Sequence, residues 1–181
     1  MRRQFDIGVD MGSANVVAVA PGRGVIICEP SVVAVEVSTG YAAGWGTRAL
    51  DMLAHDPARY RMVAAGPWGD SSRRPLALYV LSAVVHAVCG VRRVSGPRAA
   101  LLAPASPSVL DIRAMYRLAV DAGLTPTTIV QSPVAISLGV GALDRDVLVA
   151  DVGAERTHIA VIQLGAAVWS WRERAGMSGA D

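Results

Sequence analysis

The stretch Ile7-Gly8-Val9-Asp10-Met11-Gly12 has an echo later in the chain, Leu148-Val149-Ala150-Asp151-Val152-Gly153. In each, an apolar β-type run ends in Asp-x-Gly, and a second apolar run follows at residues 16–20 or 158–164. This pattern predicts two strand–turn–strand units, the first with its turn at residues 10–13. One Asp-x-Gly alone occurs in many ordinary turns. The pair, with each copy between apolar strands, is the informative feature.

Alternating strands and helices fill the region between the two units. The predicted strands are residues 5–9, 16–20, 25–28, 32–37, 99–103, 128–130, 146–151 and 158–164, with a further candidate at 168–171. The predicted helices are residues 45–54, 76–91, 108–122 and 133–140, and residues 59–74 are predicted to be irregular. The chain therefore reads as an α/β fold, in which a mixed sheet has flanking helices.

Composition supports one folded domain of 181 residues, because 52% of them are apolar and 18% are charged. A net charge of +2 with mixed signs is not typical of a nucleic-acid binder. Residues 76–91 are sixteen in number, fewer than the ~20 of a membrane-spanning helix, and indicate a core helix. Cys28 and Cys89 are expected to be buried and reduced. With no apolar leader before the first strand, these features predict a cytoplasmic protein.

Several segments resemble the MreB family of bacterial actin-like, rod shape-determining proteins. Asp10-Met11-Gly12-Ser13-Ala14-Asn15 is similar to that family's first phosphate motif, Asp-Leu-Gly-Thr-Ala-Asn. Residues 24–34, with Glu29-Pro30-Ser31-Val32-Val33, resemble the continuation of that motif, and residues 49–53 resemble the small outer subdomain. Residues 149–165 resemble the second phosphate motif. The resemblance covers nearly the whole chain.

The resemblance implies the first domain of an actin-like (ribonuclease H-like) fold. Residues 1–173 would form domain I, with the small outer subdomain inserted at about residues 32–74. Residues 174–181 would be the truncated start of domain II, which is otherwise missing. A sheet surface left without its partner would then be exposed, and such patches mark partner sites or instability.

ATP and Mg²⁺ are the cofactors that the resemblance implies. A hairpin turn with free backbone N–H groups also makes an anion cradle, and an Asp beside it can hold a metal ion through water. Asp10 and Asp151 are the candidates for such a magnesium contact. The candidate cofactor-binding residues are Asp10, Gly12, Ser13, Ala14, Asn15, Asp151, Gly153 and Thr157. Alternatively, the two aspartates cap β-turns and the two glycines serve only turn geometry.

The second motif departs from the family pattern Asp-Ile-Gly-Gly-Gly-Thr-Thr. Ala154, Glu155 and Arg156 stand where the family has Gly, Gly and Thr. Ala154 narrows the conformations open to the turn, and Glu155 brings negative charge towards a polyphosphate. Arg156 would offset that charge or replace charge lost from a metal ion.

A further departure concerns hydrolysis. The family's Glu-Glu-Pro segment appears here as Gln131-Ser132-Pro133, so that Ser132 replaces the carboxylate that positions the attacking water. A short hydroxyl is a poor substitute for that carboxylate. No catalytic residue is therefore assigned, and ATP hydrolysis is expected to be impaired or absent.

The resulting hypothesis is an MreB-like cytoskeletal or scaffold protein that acts in cell shape and cell-wall synthesis. Its expected partners are full-length MreB-type filaments or wall-synthesis proteins, without nucleic acid. Peripheral contact at the inner face of the membrane is a further expectation, because residues 90–98 carry three arginines. The alternative for that loop is a solvated hairpin whose charges serve solubility, and the sequence favours it. The alternatives are a slow nucleotide-binding ATPase of the actin superfamily, or a non-functional truncated remnant.

Overall fold

A computed structural model describes residues 6–66, 71–89, 96–125 and 127–174. Within these residues lie the strands β1 (Ile7–Met11), β2 (Asn15–Ala20), β3 (Gly24–Pro30), β4 (Val32–Glu36), β5 (Ala42–Trp45), β6 (Tyr60–Ala64), β7 (Ala99–Ala103), β8 (Thr127–Gln131), β9 (Val147–Val152), β10 (Arg156–Gln163) and β11 (Ala166–Arg174). The helices are α1 (Thr47–His55), α2 (Arg74–Cys89), α3 (Val109–Asp121) and α4 (Ser132–Gly139), and a short 3-10 turn (Ser71–Arg73) precedes α2.

The largest sheet has five strands in the order β3-β2-β1-β7-β8. β1, β2 and β3 form an antiparallel meander, and β7 and β8 run parallel to β1. Helices α2 and α3 pack on this sheet around a core in which Val9, Leu81, Leu101 and Met115 are fully buried. Each such side chain contributes about 1.5–3 kcal/mol relative to exposure. The predicted mixed sheet with flanking helices is confirmed.

Helix α3 owes its boundaries to local chemistry. The Ser108 hydroxyl accepts a hydrogen bond from the Asp111 N–H at 3.1 Å, and the Asp111 carboxylate accepts one from the Ser108 N–H at 2.9 Å. This capping box satisfies backbone donors that the first helical turn leaves free. At the other end, Gly123 adopts a φ of 86°, a left-handed conformation that ends helices. The predicted helix at residues 108–122 is thereby confirmed.

A small outer sheet, in the order β5-β4-β6, packs with α1. The Glu29 carboxylate accepts hydrogen bonds from the Thr47 N–H at 2.8 Å and the Thr47 hydroxyl at 2.7 Å, which ties the start of α1 to β3. Two predictions were wrong here. Trp45 belongs to β5, where it pairs with Val33 of β4, and is not helical. The stretch predicted to be irregular contains β6, which is held by pairing with β4.

The third sheet, in the order β11-β10-β9, is antiparallel and shares no strand with the other two. Helix α4 covers one face of it, where Val134 packs against Val149, Ala160 and Ile162. The change of sheet therefore falls between β8 and β9, whereas the boundary predicted at residue 173 lies within β11. That domain boundary stays a prediction, and residues 175–181 lie outside the described residues.

Two further predictions can be compared with the structure. Over the described ranges, no helix combines the length and the apolar character needed to cross a bilayer. The Cys28 side chain is exposed, so the prediction that it is buried was wrong. The Cys89 side chain and residues 90–95 of the arginine-containing loop lie outside what the structure describes.

Candidate functional site

One cleft of about 320 Å³ lies between the β1–β2 hairpin and the β9–β10 hairpin. It opens at the carboxyl ends of the parallel strands β7 and β8, where ligands commonly bind in open α/β sheets. The residues that line it are residues 10–15 and Val17 of the first hairpin, residues 102–104 after β7, Ser132 at the start of α4, and Asp151, residues 153–156 and His158 of the second hairpin.

The two hairpins have matching backbones. Met11 pairs with Val16 and Val152 pairs with Thr157, which leaves four residues between the closing partners in each hairpin. A Cβ on Gly12 would lie 3.0 Å from the Asn15 carbonyl oxygen, and one on Gly153 would lie 3.0 Å from the Arg156 carbonyl oxygen. Both turns therefore favour glycine at this position, because a Cβ would fit only if the neighbouring backbone shifted slightly.

Asp10 and Asp151 face the cleft from within their strands. Asp10 lies opposite Val17, and Asp151 lies opposite His158, so each aspartate and its cross-strand neighbour project from the same face. The turn predicted to begin at Asp10 begins later, because β1 continues to Met11. Burial, and then the nearby charge of Asp151, raise the pKa of Asp10. The two hairpins thus bring two carboxylates into one electrostatic environment.

Ser132 lies in the cleft and is already bonded. Its hydroxyl donates a hydrogen bond to Oδ2 of Asp151 at 2.9 Å. The neighbouring Gln131 is not among the residues that line the cleft. The Ser132 hydroxyl proton is therefore engaged by a carboxylate, while the hydroxyl oxygen keeps lone pairs that can accept hydrogen bonds.

The structure brings seven of the eight predicted cofactor-binding residues to the cleft: Asp10, Gly12, Ser13, Ala14, Asn15, Asp151 and Gly153. Thr157 is the exception, since it is not among the lining residues. It pairs with Val152, whose side chain is 77% exposed on the other face of the third sheet. The reason is the alternation of side chains along a strand, which sends residues 156 and 158 to the cleft and residue 157 away.

His158 is a lining residue that the sequence reasoning missed. Its side chain is 8% exposed, and its Nε2 atom has no hydrogen-bond partner among the described residues. Burial lowers the pKa of His158, with the charges of Arg156 and Arg172 acting in the same direction and that of Asp151 opposing them. The available signal was spacing: Asp10 and Val17 are seven residues apart, as are Asp151 and His158.

Arg156 is the one cationic side chain among the described residues that line the cleft. It is half-buried. Hydrogen bonds from Ser108 lower the pKa of Asp111 at the start of α3, and the charges of Arg172 and Arg156 add smaller contributions in the same direction. No ion pair within 4.0 Å engages Arg156 in the described part of the chain. Its guanidinium thus has no carboxylate partner among the described residues.

The second turn forms without left-handed backbone at its non-glycine residues. Among the described residues, Leu164 is the only non-glycine residue with a positive φ. Ala154 and Glu155 are both exposed and both take ordinary backbone conformations. The restriction expected at Ala154 therefore does not appear as backbone strain.

Comparison with known proteins shows which protein family the sequence matches. The sequence model of the MreB/Mbl protein family matches residues 4–179. The cell shape-determining protein MreB of Escherichia coli (strain K12) is 29% identical, over 94% of this chain and 52% of that protein. The cell shape-determining protein Mbl of Bacillus subtilis (strain 168) is 28% identical, over 91% of this chain and 50% of that protein. The chain thus spans about half the length of these relatives.

Solved structures agree with the sequence comparison. The crystal structure of MreB5 of Spiroplasma citri bound to ADP has a TM-score of 0.81 and 26% identity, covering 93% of this chain and 51% of that one. The same protein bound to AMPPNP has a TM-score of 0.79 over the same shares. A MamK double helical filament has a TM-score of 0.77 at 17% identity, over 93% of this chain and 54% of that one, which shows the fold alone.

Proposed function

The chain belongs to the MreB/Mbl protein family, whose curated members determine cell shape, and from that premise we propose that its cleft binds ATP with Mg²⁺. The observation that carries the proposal is the meeting of two matching hairpins at one cleft. Such turns present backbone N–H groups to an anion from two sides. The MreB5 structures, which hold ADP and AMPPNP, support the same assignment.

The residues present fit a polyphosphate with its cation. Gly12 and Gly153 keep both turns tight, because a Cβ at either position would meet backbone at 3.0 Å. Asp10 and Asp151 provide the hard oxygen ligands that Mg²⁺ takes, directly or through water. The bound cation would neutralise charge between the phosphates and these carboxylates. The lone Nε2 of His158 offers a further polar contact. Glu155 is exposed and is not assigned to the cation, so its negative charge opposes an anion.

We propose in addition that hydrolysis is impaired. Ser132 holds the position of the family's water-positioning carboxylate, and its hydroxyl donates to Asp151. Such a hydroxyl can still accept a hydrogen bond from water, but it is far less basic than a carboxylate and so is a poor acceptor of the proton of the attacking water. The chain would then act through the nucleotide-bound state itself, as a cytoskeletal or scaffold protein.

The test combines calorimetric binding of Mg·AMPPNP with measured phosphate release from Mg·ATP. We expect one binding site, loss of binding in Asp10→Ala, and phosphate release no faster than in the Ser132→Ala variant. Phosphate release that depends on both Asp10 and Ser132 would establish the alternative of a slow ATPase. A well-folded chain that binds no nucleotide would contradict the proposal and leave a protein-only scaffold or a remnant.

Partners are proposed on the same premise: filaments of full-length MreB-type proteins, or proteins of wall synthesis, at the inner face of the membrane in the cytoplasm. The support is the outer face of the third sheet, where Leu148 is 70% exposed, Trp169 52% and Trp171 43%. Apolar patches of this kind mark interaction sites. Co-sedimentation with polymerised full-length MreB tests this, with Trp169→Glu as the variant expected to stay in the supernatant.

A further inference from the structure

The second hairpin carries two cleft-facing side chains whose role the fold does not explain. Arg156 and His158 project from the same face of β10, two residues apart, and both line the cleft beside Asp151. Neither side chain has a hydrogen-bond or ion-pair partner among the described residues.

The buried imidazole of His158 destabilises the fold unless a ligand or another polar group forms a hydrogen bond with it. The residue is 92% buried, and its unpartnered Nε2 atom has lost contact with water without gaining another polar contact in the described residues. A buried polar atom left in that state destabilises the fold. Val17, at the equivalent place in the first hairpin, shows that an apolar residue suits this position structurally.

An anionic ligand needs positive charge from this hairpin, because most of the ionisable side chains that line the cleft are carboxylates. Of the ionisable side chains that line the cleft, three are carboxylates, Asp10, Asp151 and Glu155, and Arg156 is the one cation. A planar guanidinium gives two parallel N–H groups to one phosphate, and such charge-assisted hydrogen bonds are stronger than neutral ones. The backbone of the turn alone does not supply this charge.

We propose that Arg156 and His158 together form the phosphate contact of the second hairpin, in which the guanidinium pairs with a phosphate oxygen and the imidazole Nε2–H donates to it. The inference rests on the proposed nucleotide binding and assigns a contact within that site. On this proposal, the side chains of Arg156 and His158 make the phosphate contacts that a glycine-rich turn would make through its backbone.

The experiment uses the whole chain and calorimetric titration with Mg·ADP and Mg·AMPPNP. Arg156→Ala is expected to bind roughly 10- to 100-fold more weakly, the loss that follows from removing one charge-assisted contact. Arg172→Ala is the matched control. Arg172 also influences His158 electrostatically but does not line the cleft, so its removal should leave affinity within about twofold of wild type, as for screened charges.

His158 is tested with two variants and a second readout. His158→Val should lower affinity about tenfold, whereas His158→Gln, which keeps an N–H donor, should lose less. Thermal unfolding separates this from a structural role, because His158→Val removes an unpartnered buried group and should melt at the wild-type temperature or above. A lower melting temperature together with wild-type affinity would overturn the proposal.

The remaining outcomes are distinct. Nucleotide binding that depends on Asp10 but is unchanged in Arg156→Ala and His158→Val would overturn this inference and leave the proposed function standing. A folded wild-type chain that binds neither nucleotide would overturn both.

Discussion

The first and second hairpins share a backbone but differ in their side chains and their setting. Both place an aspartate one residue before the closing pair and a glycine one residue after it. The residue opposite the aspartate is Val17 in the first hairpin and His158 in the second. The aspartate and the glycine that both hairpins share thus shape the two turns. The residues that differ set the charge that each hairpin presents to the cleft.

Their settings differ as well. The first hairpin extends from the five-stranded sheet, in which Val9 and Val16 are fully buried. The second extends from a three-stranded sheet whose Leu148 and Val152 are 70% and 77% exposed. The first hairpin is therefore the more firmly held of the two. Disruption of its turn should cost more than the same disruption in the second.

The largest effect should come from the turn glycines. Gly12→Val and Gly153→Val each force a side chain against a backbone carbonyl 3.0 Å from its Cβ, and overpacking of this kind costs about 1–3 kcal/mol. Because of its buried sheet, we expect Gly12→Val to destabilise the fold more than Gly153→Val. Urea unfolding of both variants measures the difference. Equal losses would show that the settings of the hairpins do not matter.

The next effect concerns the carboxylates. A raised pKa in the folded state means that Asp10 stabilises the fold when protonated, below its ordinary pKa of 3.8, and that this contribution is lost as pH rises through the raised value. Asp10→Asn should therefore raise stability at pH 7, where the buried carboxylate of wild type is ionised. The gain should vanish in acid, which thermal unfolding across pH would reveal.

Asp151→Asn is the matched control for that comparison. Asp151 already accepts a hydrogen bond from Ser132 at 2.9 Å, so its neutral replacement should gain less. A larger gain from Asp151→Asn than from Asp10→Asn would contradict the electrostatic picture of the cleft.

The smallest effect should come from the exposed loop residues. Glu155→Gln removes a negative charge from the second turn and should tighten Mg·AMPPNP binding about twofold, the modest effect of a solvent-screened charge. Ala14→Glu places a carboxylate in the equivalent turn of the first hairpin and should weaken binding by a similar factor. Titrations in low and high salt test both, since screening should shrink each effect. No response to salt would argue against a Coulombic cause.

The sequence was sufficient to predict those strands and helices whose formation depends mainly on neighbouring residues. The apolar runs at residues 16–20 and 99–103 are strands, and α3 lies within the helix predicted at residues 108–122. It was insufficient for the outer sheet, because β6 forms by pairing with β4, and these two strands are far apart in the sequence. Strand formation there follows from a partner, and the local composition carries no sign of it.

The candidate site divides in the same way. The Asp-x-Gly pair located the cleft, and Ser132 lies where the motif placed it. Thr157 does not line the cleft, because side chains alternate between the two faces along β10, and its part in cofactor binding stays a prediction. His158 was missed for the same reason. Hairpin register, counted from Asp151, would have found it.

The most direct test of the central claim is a calorimetric titration of Mg·AMPPNP into wild type, Asp10→Ala and Asp151→Ala side by side. If two hairpins hold one ligand, wild type should bind at a single site, and each variant should lose at least tenfold in affinity, about 1.4 kcal/mol. Binding that survives intact when either aspartate is removed from a folded chain would contradict the account.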